Sequence, residues 1–184
     1  MPMDQNEFIH AYSDDVIFLE QAKRALETLE TQEPRKVLAS WNDKLRTASF
    51  CRIRIVIMVA IIEHLLVRFQ NDSNRELLQT YFTRGKRVSN QQRVQALCDA
   101  FQQRLPIDPN VFWDYLSIKY LRNTIVHGEW NEYDQAYVQE RGFPIDTLQF
   151  TEEHWRRIRE VELKLMAYIA MSSKRGHGQS EGVV

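Results

Sequence analysis

Three residues in the stretch YLRNTIVHGEW, 120–130, have the types and spacing for phosphate chemistry: Arg122, Asn123 and His127. A guanidinium stays charged at any working pH and grips a phosphate through two parallel hydrogen bonds. An imidazole titrates near neutrality and serves as general base or acid. An amide orients the pair or a ribose hydroxyl. Together they suffice in kind for metal-free RNA cleavage. The 2′-OH attacks the adjacent phosphorus, His127 moves protons, and Arg122 stabilises the charge developing on the phosphoryl oxygens. The expected product is a 2′,3′-cyclic phosphate. One chain supplies one such imidazole, whereas in-line transfer works best with groups on both sides of the phosphorus. A two-fold dimer would bring the same patch from two copies together.

A helix can carry this arrangement. Asn123 and His127 are four apart and share a face. Arg122 lies roughly 140° around from His127 at about 100° per residue, but its length lets it swing back. The plain alternative is helix-end chemistry. His127 then only meets the helix dipole, and Arg122 makes a surface ion pair with Glu129.

The residues LRNTIVHG are similar to the R-N-x-x-x-H-G signature of the HEPN superfamily, the higher eukaryotes and prokaryotes nucleotide-binding domains. The match comprises Arg122, Asn123, His127 and Gly128; the helical pattern over roughly residues 10–172 agrees with it. The resemblance implies an α-helical bundle that dimerises through the motif helices. It also implies a metal-independent endoribonuclease, a toxin of a toxin–antitoxin pair or a component of phage defence. Arg122 and His127 then line a composite cleft at the dimer interface, and Asn123 assists. An antitoxin or defence-system protein is the implied partner. Some relatives carry Tyr two residues after the His, where an antitoxin attaches AMP; here that position is Glu129. Other relatives are non-catalytic RNA-binding or partner-binding modules, which is the competing reading.

Further residues are candidates for supporting roles. The stretch 83–93, TRGKRVSNQQR, carries Arg84, Lys86, Arg87 and Arg93, and no acid occurs from Leu77 to Cys98. It is the best local basic patch, an RNA track on which Tyr81 and Phe82 could stack bases, or else a solvated loop with its aromatics in the core. Glu63 and His64 sit inside an apolar helical run. A buried carboxylate needs a partner, so Glu63 either pairs with an arginine in the core or orients Arg122. His64 is a second candidate active-site group. Glu129 is a third supporting candidate. Arg52 and Arg54 are expected to snorkel to solvent. Cys51 and Cys98 match no metal or redox spacing and read as buried thiols. His10, His154 and His177 show no ligand spacing. No metal or cofactor is expected.

The elements that must position these residues repeat at helical spacing throughout. A first helix is expected over about Asp4–Thr31, broken near Ser13, with Val16, Leu19, Ala22, Leu26 and Leu29 as its apolar stripe. A second starts at Pro34 and runs to Phe69, its second half covered on most sides. A short helix follows in NRELLQTYF. Ser89 starts QQRVQALCDAFQQRL, and Asp108-Pro109 opens VFWDYLSIKYLRNTIVH, ending at Gly128. From Glu129 to Phe150 the pattern weakens, with a turn at Gly142 and Pro144 and IDTLQF extended. Thr151 caps the last helix. Trp113, Trp130 and Trp155 read as packing residues.

The whole is an all-α, antiparallel four- to five-helix bundle. Residues 4–172 form one HEPN-like domain, and 173–184 are expected to be a disordered tail. The 184 residues suffice for one buried core. A net charge of −1 excludes strong whole-molecule attraction to nucleic acid or anionic membrane, so RNA binding needs a local patch. The apolar run 53–62 falls short of the roughly 20 residues a membrane span needs. No signal peptide is visible, and a cytoplasmic homodimer is expected.

Overall fold

The computed structural model describes residues 5–32, 43–71, 78–83 and 88–177. They form α1 (Gln5–Gln32), α2 (Asp43–Asn71), α3 (Gln79–Phe82), α4 (Asn90–Gln102), α5 (Pro109–His127), α6 (Glu132–Glu140) and α7 (Glu152–His177), with a 3-10 turn at Thr147–Gln149. Among the described residues there is no strand, and none of these helices is long and apolar enough to cross a membrane.

α5 is the central element, packed on α2, α4, α6 and α7. Val111, Phe112, Tyr115, Leu116, Ile118 and Leu121 are fully or almost fully buried, and Asp114, Ser117 and Tyr120 are buried beside them. A helix buried on every side has no single apolar stripe, so its pattern reads as a nearly continuous run. α2 supplies Ile55, Met58, Val59, Ile62, Leu66 and Phe69 to the same core but leaves Ile53 and Val67 exposed. Full enclosure therefore belongs to α5 rather than to the second half of α2. Phe69 stacks on Phe101 of α4, with ring centroids 5.6 Å apart, and Phe112 stacks on Tyr168 of α7 at 6.0 Å.

Buried ion pairs orient the helices around this core. Asp114 of α5 accepts from Arg141 at the end of α6 and from Arg157 of α7, the latter at 2.7 and 2.6 Å. Arg54 of α2 donates from Nε to Glu162 of α7 at 2.9 Å, also binds Glu20 of α1, and lies 4.8 Å from the Trp155 ring. Arg54 is only 2% exposed. It does not snorkel, because two carboxylates meet it inside. Arg52 turns inward too, donating to the Thr147 carbonyl at 3.1 Å. Lys23 of α1 reaches Glu152 at 2.9 Å, and Thr47 of α2 reaches the same carboxylate at 2.6 Å. α2 and α7 therefore run parallel, since Thr47 meets Glu152 and Arg54 meets Glu162, while α5 runs antiparallel to both.

Several boundaries follow the local chemistry expected of them. Ser89 caps α4 in a complete capping box with Gln92. Asp108 caps α5 with Pro109 behind it, and Gly128 ends α5 in the left-handed region at φ 78°. Others differ. α1 passes through Ser13 without a break, and Leu19, Ala22 and Leu26 on its later turns reach the core. α6 falls where the pattern weakens: it buries only Val138, too little apolar surface to show as a stripe. IDTLQF is not extended; Asp146 caps the 3-10 turn through the Leu148 N–H. α7 continues to His177, so residues 173–177 are helical rather than part of a disordered tail. Pro34, Asp72, Ser73 and residues 178–184 lie outside the described residues.

Candidate active site at the end of the central helix

The last two turns of α5 carry the motif. Arg122 and Asn123 are half-buried, and Arg122 Nη1 donates to Asn123 Oδ1 at 3.1 Å. The amide next in sequence thus restrains one edge of the guanidinium. Arg122 Nε is buried with no hydrogen-bond partner. An orphaned buried donor costs about 1–3 kcal/mol, so an acceptor reaching this edge of Arg122 would be stabilised. His127 is the final residue of α5 and is exposed. It makes no hydrogen bond to Arg122 or Asn123, so the structure joins Arg122 with Asn123 and leaves the imidazole open. Gly128 N–H closes the helix on the Thr124 carbonyl at 2.8 Å.

Glu129 does not pair with Arg122. The Thr124 hydroxyl donates to its backbone carbonyl at 3.2 Å, which turns the chain away, and Glu129 is exposed. The surface ion pair of the plain reading is therefore missing.

Glu63 pairs with a lysine, not with an arginine of the core. Lys119 Nζ donates to Glu63 Oε1 at 2.8 Å and to the Tyr81 hydroxyl at 3.1 Å, and the hydroxyls of Tyr81 and Tyr115 are 3.3 Å apart. Lys119 also faces the Tyr81 and Tyr115 rings, 5.0 and 5.7 Å from their centroids. Burial works to lower the pKa of Lys119, but Tyr81 and Glu63 outweigh it and hold it above the ordinary lysine value. Burial, with Tyr81 and Glu63, raises Tyr115 well above a free tyrosine, and the charge of Arg122 opposes that rise. Arg122 thus borders this polar cluster without hydrogen-bonding to Glu63 or His64. His64 is half-buried, and its pKa is lowered by burial and by the nearby Arg68.

The aromatic residues proposed for base stacking are taken by the core. Tyr81 is buried and Phe82 packs edge-on against it, with centroids 5.0 Å apart. Their faces are spent on packing because α3 rests on α4. Arg93 folds back, its Nε donating to the Val88 carbonyl at 3.4 Å. Arg84, Lys86 and Arg87 lie outside the described residues. Cys51 and Cys98 are buried thiols, pushed by burial to about 12 and about 11. Among the described residues no group of three or more His, Cys, Asp or Glu side chains could hold a metal ion.

Two features escaped the sequence. Lys119 reads there as an aliphatic stem on an apolar face, yet its ammonium, three residues before Arg122 on α5, holds Glu63. The Asp114–Arg141–Arg157 cluster joins residues 27 and 43 positions apart on successive helices, and no local spacing announces it. No protein-family model, curated protein or solved structure matches the chain.

Proposed function

We propose that this protein is a metal-independent endoribonuclease of HEPN type, acting as a dimer in prokaryotic toxin–antitoxin or antiviral defence. The observation that carries the reading is Arg122 itself. Its guanidinium is restrained by Asn123 on one edge, free of Glu129, and orphaned at a buried Nε. A buried donor without a partner gains from an anion that reaches it, and a phosphate matches the guanidinium fork.

In the proposed reaction His127 accepts the proton of the ribose 2′-OH as its oxygen bonds to phosphorus. The bond to the 5′-oxygen breaks, and that oxygen takes a proton from the His127 of a second copy. Arg122 binds the phosphoryl oxygens and gains most when their charge grows. Asn123 holds the guanidinium edge-on. The products are a 2′,3′-cyclic phosphate and a 5′-hydroxyl.

The test is cleavage of total RNA and tRNA in EDTA, with His127→Ala alongside and product ends determined. Cleavage to cyclic phosphate by wild type alone supports the nuclease. RNA binding without cleavage, unaffected by His127→Ala, would instead support the binding-module reading.

A further inference from the structure

We propose that Lys119 is a positioning residue for Arg122: by holding Glu63, it keeps a neighbouring carboxylate from closing on the guanidinium meant for phosphate. The inference rests on the phosphate-clamp role proposed above for Arg122.

The two cations sit three apart on α5, so their Cβ atoms are about 5–6 Å from one another. Side chains on a helix lean toward its N-terminus, which tilts Arg122 toward Lys119. Glu63 Oε1 lies 2.8 Å from Lys119 Nζ, the cation about one helical turn before Arg122. Glu63 and Arg122 both act electrostatically on the buried Tyr115 hydroxyl. The Glu63 side chain is 43% exposed and has room to turn.

Competition follows from donor geometry. A carboxylate gains more from a planar guanidinium, which can bind it twice, than from a single ammonium. Arg122 also has a buried Nε in need of an acceptor. Glu63 nevertheless stays on Lys119, and among the described residues Arg122 makes no ion pair with it. Lys119 is itself anchored, with Nζ donating to the Tyr81 hydroxyl at 3.1 Å and a side chain only 13% exposed. The ammonium thus acts as a tether. Without it, Glu63 turns to Arg122, fills the orphaned donor and neutralises the clamp.

A merely structural lysine and a tether give opposite signs in a double substitution. In the full chain, the Arg122 Nε–H resonance would be followed by nitrogen-15 NMR, assigned with Arg122→Lys, while inorganic phosphate is titrated. The tether predicts that Lys119→Met moves this resonance to a carboxylate-bound position and weakens its response to phosphate about tenfold, within the range for coupled neighbours. Lys119→Met/Glu63→Gln should restore both, and Lys119→Arg should behave as wild type. Lys119→Gln replaces Lys119→Met if the latter fails to fold by circular dichroism. An Nε–H resonance unmoved by loss of Lys119, or a change that persists in the double variant, overturns the proposal. Where wild type cleaves RNA and His127→Ala does not, kcat should fall and recover in the same order. If wild type does not cleave, the nuclease reading fails, and the resonance alone decides the tether.

Discussion

In the proposed reaction Arg122 carries the phosphate-binding role. Arg122→Ala is expected to abolish RNA cleavage while shifting stability by less than about 1 kcal/mol, because losing its bond to Asn123 is offset by removing a buried donor that lacks a partner. Parallel cleavage assays and urea melts check this; undiminished cleavage in a folded variant would end the assignment. His154 carries a separate, pH-linked prediction. Its Nδ1 accepts from the Thr151 N–H at 3.0 Å, and its Nε2 meets the Gly142 carbonyl at 3.3 Å. That arrangement needs a neutral ring, and burial lowers its pKa below the ordinary histidine value. The unfolded chain then binds this proton more readily than the folded one. Its contribution is therefore present above the unfolded pKa of about 6.5 and is lost as pH falls through that value toward the folded one. Urea midpoints at neutral and mildly acidic pH should diverge less in His154→Gln than in wild type. Type and spacing of Arg122, Asn123 and His127 left helix-end chemistry and phosphate chemistry both open in the sequence. The partner of Glu63 was not legible, since Lys119 comes from a different helix and meets it only through packing.

At the scale of elements, α5 is held at both ends and along its length. Gly128 terminates it at φ 78°, where an added Cβ meets nothing within 4 Å. Gly128→Ala should thus cost about 1–2 kcal/mol from backbone strain alone. Because His127 sits directly before the cap, the same change should lower cleavage more than stability, read as kcat against the melting midpoint. Asp114 clamps α5 to α6 and α7 through two arginines. Removing one partner of a buried pair costs about 3–5 kcal/mol; Asp114→Ala is expected near the lower end, because Arg141 and Arg157 remain partly wetted. Urea unfolding measures it, and a loss under about 1 kcal/mol would show the cluster to be ornamental to stability. Caps at Ser89 and Asp108 were readable because a cap is a local event. α6 was not, because nine residues burying one valine produce no periodic signal.

At the scale of the whole molecule, the proposed reaction needs two copies. Val126, beside His127, is half exposed and stands on the helix end that the dimer would bury. Val126→Glu should therefore shift sedimentation from dimer to monomer and remove cleavage together. A wild-type chain that stays monomeric at working concentration yet cleaves RNA would refute the composite site.

Helical class and the start and end of α5 were determined by the sequence itself. Each rests on interactions spanning a few residues: a period, a cap, a left-handed glycine. Which helix lies at the centre, which carboxylate meets which cation, and whether Arg54 faces water or Trp155 were decided only by the tertiary structure. A buried charge takes the opposite charge that packing brings to it, and that partner is named by the fold rather than by distance along the chain.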